Sequence, residues 1–187
     1  SMESTTNYEY HPNFYNVYPI YVFSKINTHE VLSMTDYLYT TISMDNGKRY
    51  FSYPKKTITI DYFSDIKTEQ ENLFDENGNL TKQINKNFAG VASTQAEYED
   101  TRFTGYRNCI DKPYYYRPKT DTLVMKKGSA QEKKIVNYRY YDGGGFAMQN
   151  TRLSSVKMHD EDPNLATTTT YSYAYNNGLT ITQTTAS

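Results

Sequence analysis

The chain is predicted to be mainly β: an antiparallel meander of hairpins forming a curled sheet or a sandwich, with at most one or two short helices. Three observations predict this. First, the dipeptide Asn-Gly occurs at Asn46-Gly47, Asn77-Gly78 and Asn177-Gly178, each time beside residues that favour a pleated surface. Asn and Gly tolerate the positive φ that a type I′ turn needs at both central positions, and the twist of that turn matches the strands it joins. Second, no segment has the period or length of a long amphipathic helix. Third, 21 of the 187 residues are Tyr and aromatics make up 16%. Phenol rings therefore bury what aliphatic groups usually bury, while their hydroxyls keep a wet or hydrogen-bonded partner.

The elements follow in order. Residues 1–13 are polar and weakly patterned, and read as a flexible N-terminal segment; residues 14–187 read as one β domain. Asn16 to Phe23 is strand-like, but Pro19 demotes it to an edge or to two short pieces. Lys25 to Met34 is a helical candidate, with Asn27 or Thr28 as cap. Tyr37 to Met44 and Arg49 to Tyr53 form a hairpin around Asn46-Gly47. Pro54-Lys55-Lys56 breaks the run, and Thr57 to Phe63 resumes it. Thr68 to Phe74 and Asn79 to Ile84 flank Asn77-Gly78. Sequential strands then pair with their neighbours.

Residues 85–110 are less regular, and a short helix is expected near Ser93 to Glu99. Pro113 to Pro118 reads as a stiff aromatic connector. Asp121 to Lys126 and Glu132 to Tyr141 are strands around Lys127-Gly128-Ser129, and Asp142 to Gly145 is a break. Thr151 to His159 is a strand, and Asp160 to Asn164 a polar loop. Thr167 to Tyr175 and Leu179 to Thr184 close the last hairpin around Asn177-Gly178.

Composition excludes some functions. The formal net charge is -1, from 20 basic and 21 acidic residues. That leaves no basic excess for nucleic acid and none for docking on an anionic membrane. No apolar run approaches the ~20 residues that span a bilayer. A single cysteine, Cys109, forbids an intrachain disulfide. Ser1-Met2 reads as the remnant of a cleaved tag, which leaves room for a signal peptide or lipid anchor ahead of it.

One unit recurs. Phe74-Asp75-Glu76-Asn77-Gly78-Asn79-Leu80-Thr81 is its fullest form, Tyr140-Tyr141-Asp142-Gly143-Gly144 a partial one, and Tyr173-Ala174-Tyr175-Asn176-Asn177-Gly178-Leu179-Thr180 another. The aromatic closes one strand against its partner. Asp or Asn caps the turn amides. Gly takes the positive φ, and the apolar residue starts the return strand. This pattern resembles the tyrosine-aspartate (YD) repeats of Rhs-type bacterial surface and toxin-shell proteins. It is more similar still to small Tyr- and Asn-rich secreted lipoproteins of Bacteroidetes of unknown function. The irregular spacing of the copies argues against a closed Rhs cocoon. The resemblance implies export to the envelope, a hairpin-built sheet, and no catalytic residues to carry over.

No catalytic constellation is legible. His11, His29 and His159 lie far apart, without metal-ligand spacing. Cys109 has no Cys-His signature beside it, although Arg107 is near. The carboxylate runs Glu97/Glu99/Asp100 and Asp160/Glu161/Asp162 could in principle serve glycoside hydrolysis or gather Ca²⁺, but they read as solvated loop faces. Asn79-Leu80-Thr81 is a formal sequon in which Asn79 is expected to serve the turn. No metal or cofactor is expected.

The aromatic runs are the functional lead. Tyr114-Tyr115-Tyr116-Arg117 lies between two prolines, and three consecutive side chains on an extended chain cannot share one face. Tyr138/Tyr140, Tyr171/Tyr173/Tyr175 and Tyr8/Tyr10 are i, i+2 stripes. Exposed tyrosines stack on sugars or anchor proteins. The expected ligand-binding residues are Tyr114, Tyr115, Tyr116, Arg117, Tyr138, Tyr140, Tyr171 and Tyr173, in a non-enzymatic secreted or cell-surface protein that contacts a glycan, a peptide or an envelope partner. Two other readings stand beside it. One is a lipocalin-like barrel carrying a small apolar ligand, which needs an apolar cavity. The other is a glycoside hydrolase using paired Asp or Glu, which needs two carboxylates about 5 to 10 Å apart in a cleft.

Overall fold

A computed structural model describes residues 2–10, 17–26, 30–44, 46–109, 112–140, 152–176 and 179–186. The protein is mainly β, at 77% strand, and no α-helix occurs among the described residues. The strands are β1 (Met2–Tyr10), β2 (Val17–Ile26), β3 (Glu30–Met44), β4 (Arg49–Asp61), β5 (Ile66–Phe74), β6 (Leu80–Phe88), β7 (Ala96–Cys109), β8 (Lys112–Lys127), β9 (Ala130–Tyr140), β10 (Leu153–His159), β11 (Thr167–Asn176) and β12 (Leu179–Ala186). Their order is the sequence order, in an antiparallel meander that is not closed. One 3-10 turn, Pro163–Leu165, follows Asp162, whose carboxylate accepts from the Asn164 amide at 2.8 Å.

The chain divides into two compact units: Ser1–Thr101 with Met125–Ala130, and Arg102–Val124 with Gln131–Ser187.

In the first unit the turns differ in kind. Asn46 and Gly47 both take positive φ (54° and 83°), but they sit in a four-residue loop, because Met44 pairs with Arg49. At Asn77-Gly78 only Gly78 is positive, at 82°. The Gly78 amide donates to the Asp75 carbonyl at 3.0 Å, and the Asp75 amide donates to the Asn79 carbonyl at 2.9 Å. This is a turn followed by a left-handed glycine, the three-residue hairpin form, and not the type I′ turn that the dipeptide predicts. Asn177-Gly178 lies outside the described residues.

Neither Pro19 nor Pro54 ends its strand. β4 runs straight through Pro54, where the expected break is absent. Tyr39 pairs with Pro54 and Leu38 with Lys56, which leaves Lys55 as an extra residue. A bulge is where a sheet tolerates a residue without an N–H. Pro19 behaves alike: β2 lies between β1 and β3, and Ile20 is the extra residue between the Asn7–Tyr21 and Tyr8–Pro19 pairs. Neither helical candidate is a helix among its described residues. Lys25 and Ile26 end β2 and Glu30 to Met34 begin β3, and Ala96 to Glu99 open β7 after an irregular stretch over 93–95. Cross-strand partners satisfy these backbones, and that outweighs a weak local helix preference.

The buried core is small and aromatic. Among the described hydrophobic residues only Tyr53 and Tyr140 are buried. In the first unit the Tyr53 ring lies 4.4 Å from Phe74, and Phe51 meets Phe74 edge-on at 5.1 Å. Elsewhere cross-strand side chains do the holding. Thr41 and Ser52 hydroxyls meet at 2.7 Å. Gln70 donates to Asn85 at 3.0 Å, and Asn85 to Asp100 at 2.8 Å. Gln83 donates to Asn72 at 3.1 Å, and Asn72 to the Pro54 carbonyl at 3.3 Å. Such cross-strand pairs are the unit of sheet stability, at roughly 0.2–1 kcal/mol each.

Candidate functional site

In the second unit the predicted tyrosines divide. Tyr140, on β9, is buried, and its hydroxyl donates to the Pro118 carbonyl at 2.9 Å. The Arg107 guanidinium sits 5.0 Å from its ring, within cation–π range. Most of the Tyr140 side chain is thus committed to packing within the unit. Tyr138, two residues earlier, is half-buried and lies near the Arg102–Asp121 pair. Arg102 Nε donates to both Asp121 oxygens at 2.9 Å, and its Nη2 reaches Oδ2. Asp121 is buried while the guanidinium stays half open to solvent. Burial pushes the Tyr138 phenol above its ordinary 10.0; the Asp121 charge adds to this and Arg102 opposes it.

Tyr171 on β11 and Arg117 on β8 are half-buried. Tyr114, Tyr115 and Tyr116 belong to β8, so this stretch is strand rather than a connector. Their side chains, like those of Tyr173, Tyr175, Tyr8, Tyr10 and Cys109, lie outside the described residues, as do His11 and His29. His159 is tied into the structure: one ring nitrogen lies 3.3 Å from the Asn137 amide, and the other 2.8 Å from the Asp160 carbonyl. No cluster of potential metal ligands occurs among the described residues.

The sequence missed a cleft in the first unit. It has a volume of about 370 Å³ and is bordered by Glu69, Lys86, Phe88, Glu97, Glu99 and Lys126. Its positioning comes from register. Glu69 on β5 lies opposite Lys86 on β6, and Lys67 opposite Phe88. The Lys67 ammonium stands 4.2 Å from the Phe88 ring centre and donates to the Ser93 carbonyl at 3.2 Å. Asp65, at the β4–β5 turn with φ 52°, accepts from the Val91 amide at 2.9 Å. These two side chains moor the 89–95 loop that forms the rim. The cleft is charged and does not offer the apolar lining a carrier needs.

The charges alternate across strands. Lys56 pairs with Glu69 at 2.9 Å, and that hydrogen bond holds the Lys56 ammonium above its ordinary 10.5. Glu99 lies 3.9 Å from Lys86 and 3.6 Å from Lys126. Of these residues only Glu97 and Glu99 drew notice in the sequence, as an acidic run. The signal for the rest was alternation of Lys and Glu on neighbouring strands, which becomes visible only once the register is known.

No protein-family model matches the chain, and no curated protein matches it.

Proposed function

We propose that the protein is a non-enzymatic binding protein of the bacterial envelope, secreted or held at the cell surface, that contacts a glycan, a peptide or another envelope protein through ring-bearing sheet faces. One observation carries the reading: the sheet keeps rings at its surface. Tyr50 is 51% exposed, and Tyr138 and Tyr171 are half-buried on their strands. A half-wet ring beside hydrogen-bonding side chains suits reversible contact with amphipathic partners, since tyrosine supplies area at little entropic cost. The Asp75 turn gives the YD-like motif a structural role.

Arrays of glycans and of envelope-derived peptides test the reading. Wild type is compared with the Tyr115→Ala/Tyr116→Ala pair, with Tyr138→Ala and with Tyr171→Ala. Binding that falls at least about tenfold in one of these, with an unchanged circular dichroism spectrum, supports it. Wild type that binds nothing, or variants that all bind like wild type, would remove it.

A further inference from the structure

We propose that the cleft of the first unit is a saccharide site, taking a neutral sugar of one or two pyranose rings against Phe88. The proposal rests on the binding-protein reading and gives one ligand class a specific location. Its volume, about 370 Å³, lies at the lower end of the range of small-molecule sites, roughly 300–1,000 Å³. The lining argues for a sugar in three steps.

The first is hydrogen-bonding capacity. Glu99 meets Lys86 at 3.9 Å and Lys126 at 3.6 Å. Those are charge contacts beyond hydrogen-bond range. The ammonium hydrogens and carboxylate lone pairs are therefore not spent on each other. Glu97, exposed in the same cleft, has no ion-pair partner among the described residues. Sugar hydroxyls both donate and accept, so they can use carboxylates and ammoniums together.

The second step is charge. Three carboxylates (Glu69, Glu97, Glu99) face two lining ammoniums (Lys86, Lys126), and Lys67 reaches Glu69 at 3.8 Å. Lys56, 2.9 Å from Glu69, also reaches Glu71 at 3.8 Å, so four carboxylates against four ammoniums leave no surplus to select an anion or a cation. The third step is shape. Phe88 is the one ring among the lining residues, with the Lys67 ammonium 4.2 Å from its centre, and the other lining side chains are polar or small, which suits a sugar better than the alternate apolar side chains of an extended peptide.

The test is a titration of ¹⁵N-labelled protein with neutral disaccharides of glucose, galactose and N-acetylglucosamine. Glucuronic acid, glucosamine and a lysine-containing tripeptide serve as charged probes. Glu97→Gln and Lys126→Gln alter exposed side chains, so folding is not at stake. The expected result is that a neutral disaccharide shifts the amides of residues 94–99 and 126–128, with affinity little changed by salt. Each variant should weaken binding by about 3- to 10-fold, the loss of about one hydrogen bond. The proposal is overturned if no neutral sugar shifts those amides, if only charged probes do, or if both variants bind as wild type does. A sugar that instead shifts amides around Tyr138 or Tyr171 removes the cleft and leaves the binding reading standing.

Discussion

Asp75 grips Asn79 at two points: its Oδ1 accepts from the Asn79 backbone amide at 2.9 Å and its Oδ2 from the Asn79 side-chain amide at 2.9 Å. The same Oδ1 also accepts from the Asn77 amide at 2.9 Å. The turn is therefore organised by a carboxylate, and Gly78 supplies the one backbone conformation that other residues resist. The side-chain donors of Asn79 are committed here, in agreement with a turn role for this residue.

Asp75→Ala should cost about 1–2 kcal/mol, as the loss of a capping side chain does. Gly78→Ala should cost about 1 kcal/mol, since its φ of 82° is strained for any other residue and a Cβ would lie 3.3 Å from Met44 Cε. Urea unfolding of both variants measures this. An Asp75→Ala midpoint equal to that of wild type would show that the turn needs no clamp.

Phe74→Ala should lose roughly 2–3 kcal/mol. Phe74 touches both Phe51 and Tyr53, but it is half-buried, so the loss falls below the ~3–5 kcal/mol of a fully buried ring. Phe74→Leu should recover about half. The exposed Phe63, 87% open, should tolerate Ala within about 0.5 kcal/mol. Equal costs at positions 63 and 74 would deny that the ring cluster is the core of the first unit.

Arg102→Ala leaves the buried Asp121 carboxylate without its cation. A fully buried pair broken in this way loses about 3–5 kcal/mol. The Arg102 side chain is 56% exposed, and water screens that half, so about 1–3 kcal/mol is expected. The double variant Arg102→Ala/Asp121→Ala should be less destabilised than the sum of the two singles, as a thermodynamic cycle would measure.

Two groups give opposite pH dependences. Asp61 accepts from the backbone amides of Ser64 and Phe63, and these bonds hold its carboxyl below the ordinary 3.8. A lowered folded value gives stability present above about pH 4 and lost as pH falls through the folded value. Asp61→Asn should flatten that acid limb. Tyr138 is raised above 10.0 by burial. Its contribution is complete below pH 10 and lost as pH rises through the folded value. NMR titration of ¹³C-labelled tyrosine rings should find a late-ionising phenol that Tyr138→Phe deletes. A Tyr138 signal that titrates with the exposed rings would contradict the burial assigned to it.

Hairpin wiring was legible in the sequence because turns and strands are near-neighbour matters. Gly47 and Gly78 mark corners between strands whatever the turn type, since only glycine accepts those φ values cheaply. Pro19 and Pro54 misled, because local rules say where a proline breaks pairing and not where a bulge absorbs it. The cleft was not legible. Lys86 and Glu69 stand 17 positions apart in sequence, and only the β5–β6 register puts them opposite each other. The fates of Tyr138 and Tyr140 were equally closed to inspection, both being tyrosines on β9.

The amino-acid order by itself determined that this chain turns back on itself repeatedly and pairs each strand with the next, because φ preferences and β propensity act over a few residues. Which ring is buried, which carboxylate is clamped and which charges share a cleft were decided only in three dimensions. Those outcomes depend on cross-strand partners, and a partner's identity is set by register and bulges rather than by any neighbour along the chain.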